Sequence, residues 1–589
     1  MTRGSQSRTS PPKLFSAAGF FCVLLLAVCI IITWPFAQIG INDDWVYSLI
    51  AFDFARTGHF LYHGWASPIL GWQAMWGALF VRLFGASFNV IRLSSIPIAL
   101  ATVLLYHGVL RRFGLNPAHA VFGTLTFALS PLFLPLTATF MTDVSSLFAI
   151  LVCVYLCQRA IAAHTNLSAI SWLAAAALTN IALGTVRQIA WLGLLVIVPS
   201  CGWLLRRRRF ALPATAVLWL IGAICIRSVL HWFARQPYSA PLSLLPPRQA
   251  HNMVYVHLAN SIWRTLLATL LYVLPVLAMG VAALRQMRSR SFVAPATAAA
   301  IVIVLWLAIP AQIIDPLLPP WLGNVVTANG IMQSGGLFGS TRSVPPWILA
   351  CVAALVAFCA VACVQTFLKF RASSHPQAEM SWRTLSILLL PFTAVYCCLL
   401  VPLASSLGMI DRYLLEILAV LLVFLLRLHQ ERISPRIPAI SVAILAIGAV
   451  IAIAGTHDLF AMDRARVRLL DEVQRSGVPR TAVSGGFEFD AVTQVQAWGY
   501  FNDPRIKNPP DAFKPQPDAY VDTDPCRNPL QVYAPAVHAI YVLEADPIAC
   551  LHPSQFPPAT YQTWLPPAKR QLFIGIRNPT PASWGQPSH

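Results

Sequence analysis

About thirteen long apolar runs, each nearly free of charge, leave this 589-residue chain little choice of solvent. The first, residues 14–36 (LFSAAGFFCVLLLAVCIIITWPF), is long enough to cross the ~30 Å hydrocarbon core of a bilayer. Further runs fall near 93–110, 118–136, 144–162, 168–186, 189–205, 211–230, 263–284, 294–312, 346–368, 384–408, 412–428 and 437–455. Only 11% of residues are charged, against roughly 25% in soluble domains, so most of the surface faces lipid. The expected fold class is an all-α polytopic membrane protein with a small C-terminal α/β domain outside the cytoplasm.

Charge sets the orientation. The net charge of +19 sits mainly in short basic clusters between apolar runs, which argues for positive-inside topology and against nucleic acid as a partner. If every run crosses, the inside segments carry Arg111/Arg112, Arg159, Arg206 to Arg209, Arg285/Arg288/Arg290, Lys369/Arg371/Arg383 and Arg427/Arg432/Arg436, beside Arg3, Arg8 and Lys13. Residues 1–13 are then a cytoplasmic N-terminus, ahead of an uncleaved first helix. Residues 14–455 form the membrane domain, and residues 456–589 an extracytoplasmic tail. Acidic residues mark the same boundary: nine precede Gly455 and thirteen follow it.

Residues 66–84 could pass for one more span, but counting them would invert the charge bias, and they contain Gln73 and Arg82. They are expected to form an interfacial or re-entrant helix within a long first outer loop, residues 37–92. The tail should open with an amphipathic helix near 459–476 and carry short strands near 481–484, 538–543 and 571–576. Eleven of 13 cysteines lie in apolar runs as small hydrophobes; Cys526 and Cys550 alone lie in the polar tail, where a disulfide fits an extracytoplasmic setting.

On this topology six carboxylates, Asp43, Asp44, Asp53, Asp143, Asp315 and Asp411, fall on the outer face near span ends. Glu416 lies inside a helix. A carboxylate at the bilayer centre costs on the order of 3 kcal/mol, so those near the membrane call for a reason. Helix capping is the simple reason for Asp43, Asp44 and Asp143; acid–base chemistry is the other. Asp53 reads as a solvated face and Asp315 as a loop residue. Arg187 in GTVRQIAW and Arg412 in MIDRYLLEIL stand on the same face, either snorkelling to headgroups or holding a phosphate. His59, His63, His231, His251 and His257 lie in outer loops as candidate metal ligands, and residues 330–340 (GIMQSGGLFGS) form a Gly-rich outer stretch suited to a lid or a plain flexible loop.

An uncleaved first helix, the paired acids of INDDW just outside it, a long first outer loop and Asp143 opening the fourth helix together resemble the GT-C superfamily. The resemblance is to its protein O-mannosyltransferase and lipid A aminoarabinose transferase branch. DRYLLEIL is similar to an RYLLP-type motif of those proteins, with Glu416 where proline is usual. The resemblance covers roughly residues 14–455 and implies a glycosyltransferase of the cytoplasmic membrane. Its donor would be a polyprenyl-phosphate-linked sugar and its acceptor a lipid, glycan or protein, with inversion at the sugar. By carry-over Asp43 or Asp44 is the base, Asp143 the second acid, and Arg187, Arg412 and Tyr413 the phosphate-binding residues. Members differ in metal dependence, so a divalent metal is an option without an evident ligand set. The competing readings are a transporter or flippase of lipid-linked sugars and a non-catalytic scaffold; a transporter favours polar residues at mid-span in repeated halves, a pattern not seen here.

Overall fold

The computed structural model describes residues 16–240, 254–285, 287, 289–310, 321–332, 337, 344–369, 380–406, 409–501 and 533–577. Asp315, His251, the His257 side chain, most of 330–340 and Cys526 with its expected pairing fall outside these residues.

The protein is a multi-pass membrane bundle carrying a small α/β domain. Among the described residues eight helices are long and apolar enough to cross a bilayer, and the pair Leu258–Tyr272 and Leu274–Leu284, bent by 70°, makes a ninth if it is one span. Three shorter apolar helices, Ala17–Thr33, Gln188–Leu204 and Val293–Ala308, occupy three more of the expected runs. The run at 118–136 behaves differently. Pro117–Ala128 is a 12-residue helix, followed by a break at Ser130 and Pro131 and the single turn Phe133–Leu136. Twelve residues rise only about 18 Å, well short of the hydrocarbon core.

Residues 37–92 fold into two helices, Asp44–Thr57 and Gly71–Phe84, before the next long helix begins at Phe88. The second is where the interfacial helix was expected. Met75, Leu79, Leu83 and Phe84 are exposed on it, while Gln73 turns inward and donates to the carbonyls of Phe140 (2.9 Å) and Met141 (3.3 Å). One apolar face out and one polar anchor in suits a helix lying along a membrane surface.

The helix Ala439–Arg475 contains 37 residues and runs straight through residue 455. Glycine at 455 marks a close approach: a Cβ there would lie 2.4 Å from Ile331. The expected amphipathic helix at 459–476 is therefore the continuation of the last span, which ties the tail rigidly to the bundle. In the tail, β3 (Val483–Ser484) pairs parallel with β4 (Tyr541–Glu544), after the two-residue strands β1 (Val326–Thr327) and β2 (Gly330–Ile331) of an earlier hairpin. β5 (Leu551–Pro553) and β6 (Ala559–Gln562) both pair antiparallel with the nine-residue β7 (Lys569–Arg577), as β4 does. The sheet order is β3-β4-β7-β5, with β6 on the other half of β7. Helix Phe487–Trp498 follows β3 and carries the side chains that meet the first outer loop.

That meeting is specific. Glu488, buried, accepts from the Asn42 amide (3.1 Å) and from Arg466 Nη2 (3.0 Å). The Phe501 amide donates to the His63 carbonyl (2.8 Å), and Trp45, Trp65, Phe487, Phe501 and Tyr533 form an aromatic cluster around it. Replacing Glu488 by alanine leaves the part-buried Asn42 amide and Arg466 Nη2 without this acceptor, at about 1–3 kcal/mol for each group, while Arg466 keeps the Gly485 carbonyl (2.7 Å) and Asp463 (3.6 Å). We expect Glu488→Ala to lower the unfolding temperature and to open residues 37–44 to limited proteolysis, with Glu488→Gln milder. Wild-type digestion kinetics for Glu488→Ala would show that the tail does not brace this loop.

Candidate active site

The turn ahead of Asp43 is built from Gly40 to Asp44. Asn42 takes a left-handed backbone (φ 53°), a conformation Asn tolerates, and its side chain accepts from the Asp43 amide (2.8 Å). A Cβ on Gly40 would lie 2.9 Å from the Trp45 Cα, so glycine is needed where the loop closes on itself. Buried Arg92 fastens the preceding segment by donating to the carbonyls of Ala37 and Ile39.

Neighbouring side chains at a helix start diverge by about 100°, and the paired acids separate accordingly. Asp44 turns inward: its Oδ1 accepts from the Ile41 amide (2.6 Å) and its Oδ2 from the Phe140 amide (3.3 Å). It thus binds the first loop to the segment leading into helix Thr142–Ala162, which carries Asp143. Asp43 turns toward the rim. Its Oδ2 meets Arg412 Nη2 at 2.8 Å and its Oδ1 accepts from Trp65 Nε1 at 2.9 Å. Neither Asp43 nor Asp143 makes a side-chain capping bond, although Asp143 stands in the first turn of its helix, at the positive end of the dipole.

Arg187 lies in an extended residue (φ −157°, ψ 140°) between helix Asn166–Leu183 and the run Gln188–Leu204. The break has a steric basis: a Cβ on Gly184 would lie 2.1 Å from the Trp191 ring, which packs into the gap. Free of a helix, Arg187 reaches Asp143, Nη1 to Oδ1 at 2.5 Å. Arg412 begins the helix that continues as Leu415–Arg432, with its Nη1 3.9 Å from Asp143 Oδ2. The Tyr413 ring lies 4.9 Å from the Arg187 guanidinium and 5.8 Å from that of Arg412.

Asp43, Arg412, Asp143 and Arg187 thus form one continuous ionic chain, drawn from four separate segments to a single rim of the bundle. The basic clusters lie at the opposite rim, where Arg112 stacks on Tyr155, Arg159 on Trp172, and Arg208 donates to the Ala163 and Thr165 carbonyls. Snorkelling does not describe Arg187 or Arg412, since both guanidinium groups turn toward carboxylates. The chain is incompletely satisfied: among the described residues, Asp143 Oδ2 and Arg412 Nε are buried without a hydrogen bond. Two cations balance two anions, with donor capacity left over for an incoming anion.

Three further participants receive no role from the sequence, although Asp411 and Glu416 stand out as acids near the membrane. Trp65 orients Asp43. Asp411, fully buried, accepts from the amides of Val325 (2.9 Å) and Val326 (2.6 Å), which fixes the β1–β2 hairpin beside Arg412. Glu416 lies behind the cluster, its Oε1 accepting from Ser146 (3.2 Å) and its Oε2 3.0 Å from the Tyr396 hydroxyl. Glu416 also lines a small apolar cavity of ≈ 20 Å³ with Tyr106, Leu147, Phe392 and Val423. Asp53 stands apart, paired with His63 (3.0 Å) and Arg56 (2.9 Å), and these partners hold its carboxyl below the usual range against the pull of burial. His59 and His231 are exposed, and among the described residues no three potential ligands gather for a metal.

Burial pushes the Asp44 carboxyl up to about 7, against the opposing pull of Arg92 and the two amides. An unfolded Asp ionises near about 4. Between those values the folded chain keeps a proton the unfolded chain has lost, so this group's stabilisation is full below about pH 4 and lost as pH rises through about 7. We expect Asp44→Asn to flatten that part of the stability profile, measured as unfolding temperature against pH in detergent. An unchanged slope would assign the titration elsewhere.

No family model and no curated protein matches this chain. Solved structures do match. The chain is similar to the protein O-mannosyltransferase complex of S. cerevisiae bound to its sugar donor, at 16% identity and TM-score 0.30, over 37% of this chain and only 33% of that one. It is similar to ArnT from Cupriavidus metallidurans bound to undecaprenyl phosphate, at 15% identity and TM-score 0.36, over 80% and 84% of the two chains. It is also similar to the archaeal oligosaccharyltransferase AglB from Archaeoglobus fulgidus in complex with an inhibitory peptide and a dolichol-phosphate, at 12% identity and TM-score 0.40, over 90% and 69%.

Proposed function

We propose that this protein transfers a sugar from a polyprenyl phosphate to an acceptor hydroxyl at the outer face of the cytoplasmic membrane. The observation that carries the reading is the Asp43–Arg412–Asp143–Arg187 chain at one rim, with unused donor capacity on Arg412. A lipid-linked phosphate enters from the bilayer at that level.

Arg412 is paired with Asp43. An arriving phosphodiester competes for the same guanidinium, and Arg187 supplies a second fork. Asp43 is then released to act as base while Trp65 keeps it aimed. As the acceptor oxygen bonds to the anomeric carbon, its proton passes to Asp43 and the bond from that carbon to the phosphate oxygen breaks. Asp43 loses one negative charge as the leaving phosphate gains one. The site's total charge is unchanged, and guanidinium groups already in place meet the growing charge without reorganising. Attack opposite the leaving group inverts the sugar carbon. Asp143 holds both arginines in register, and Tyr413 flanks their planes.

The test compares glycolipids and glycans by mass spectrometry in a strain lacking the gene, complemented with wild type or with Asp43→Asn. A glycan species restored by the wild type and missing with Asp43→Asn supports the reading. Full restoration by Asp43→Asn would remove Asp43 from the chemistry.

A further inference from the structure

The turn between β6 and β7 has features that the transfer chemistry does not use. It contains Trp564, Leu565, Pro566 and Pro567, and the Trp564 side chain is 51% exposed. The turn is fastened to the last helix where that helix leaves the apolar zone. Asp458 accepts from the amides of Trp564 (2.7 Å) and Leu565 (2.9 Å), and the His457 ring stacks on the indole at 3.9 Å and 5°. On that helix the last of the exposed apolar residues, Ile447, Val450 and Ile451, lies seven residues before Asp458, an axial rise of about 10 Å. Trp564 is thereby held at the level where hydrocarbon gives way to headgroups.

A second indole flanks the same stretch. Trp34, 57% exposed, ends the first helix, and its carbonyl accepts from Arg464 Nη1 at 2.7 Å. Above the two indoles lie cations from two elements. Arg468 on the helix is exposed and donates to the Thr560 carbonyl of β6 (3.3 Å), and Lys569 and Arg570 open β7. Of the nearby acids, Asp458 is engaged by two amides and His457, Asp463 is buried beside Arg466, and Asp546 lies near Tyr561. Indoles at the hydrocarbon boundary with cations just above them match the layered chemistry of a bilayer surface, and the charge matches anionic headgroups.

We propose that the β6–β7 turn is a membrane-surface anchor: Trp564 enters the headgroup layer beside the last span, and Arg464, Arg468, Lys569 and Arg570 receive the phosphates of anionic lipids. The anchor fixes the tail over the rim that carries Asp43, and it does not depend on which reaction occurs there.

The test places the photoreactive residue p-benzoylphenylalanine at position 564 of the full chain, in nanodiscs of phosphatidylcholine with and without phosphatidylglycerol. Adducts are identified by mass spectrometry. Position 447, on the apolar face of the last span, is the positive control. Position 540 is the negative control: Ile540 is exposed, and its carbonyl accepts from the Arg577 amide at the far end of β7. The expected result is lipid adducts at 447 and 564 and none at 540. Phosphatidylglycerol should be enriched several-fold at 564 over its mole fraction, and Lys569→Gln with Arg570→Gln should abolish that enrichment. Protein adducts alone at 564, or no adduct there while 447 reacts, would overturn the anchor. Lipid adducts without headgroup preference would overturn the assignment to anionic lipid.

Discussion

Asp43→Asn is expected to lower the rate of sugar transfer by about 10²–10⁴-fold, the usual contribution of a positioned general base. Asparagine has nearly the same shape and keeps an oxygen for Trp65 Nε1, now 2.9 Å from Asp43 Oδ1. What it cannot do is take the acceptor's proton. The loss should appear in turnover well beyond a moderate fall in unfolding temperature, because asparagine still offers Arg412 an acceptor oxygen but no longer a charge, and Asp143 remains 3.9 Å from the same guanidinium. Its neighbour supplies the contrast. Asp44 is buried and engaged by two backbone amides, so substitution there acts mainly on stability. Transfer by Asp43→Asn within threefold of wild type, roughly 0.7 kcal/mol, would remove Asp43 from the reaction.

Arg412→Gln should damage both fold and function. The guanidinium touches Asp43 at 2.8 Å and stands 3.9 Å from Asp143, with 10% of its side chain exposed. Taking one partner from a buried ionic group costs about 3–5 kcal/mol, because a desolvated carboxylate is left uncompensated. Arg412→Lys separates the two effects. An ammonium restores the charge and much of the stability, but as a point charge it cannot serve both carboxylates and a phosphate with a planar fork. We therefore expect Arg412→Lys to fold close to normally yet transfer slowly, and Arg412→Gln to show lower yield, a lower unfolding temperature and weak donor binding. Equal activity in Arg412→Lys and wild type would leave the arginine a purely structural counter-ion.

The membrane-spanning runs were legible because lipid forces twenty-residue apolar stretches that nothing else in a chain imitates. The tail's short strands were legible too: β3, β4 and β7 lie on three expected apolar stretches. Boundaries were less so. Gly455 reads as a domain border in one dimension and is a packing point against Ile331 in three. The 118–136 run is apolar throughout, yet Ser130 and Pro131 break it, so composition alone overstated its helix.

In the site, charge at span ends singled out Asp43, Asp44, Asp143, Arg187 and Arg412, but it could not say which would touch. Asp43 and Arg412 are 369 positions apart, and their pairing depends on how two distant helices pack. The opposite orientations of Asp43 and Asp44 follow from helix geometry only once the helix start is known. Trp65, Asp411 and Glu488 act through backbone amides or one indole N–H, contacts that leave no periodic trace in a sequence.

The central claim is that Arg187 and Arg412 hold the phosphate of a membrane-embedded donor. Its most direct test is titration of purified protein with polyprenyl phosphate, followed by native mass spectrometry, for wild type and for Arg187→Lys with Arg412→Lys. The double lysine variant retains both charges and removes both planar forks. Saturable binding by the wild type, weakened at least about tenfold in the variant (~1.4 kcal/mol) with the fold intact, is the predicted result. Equal affinity in the two proteins would contradict it.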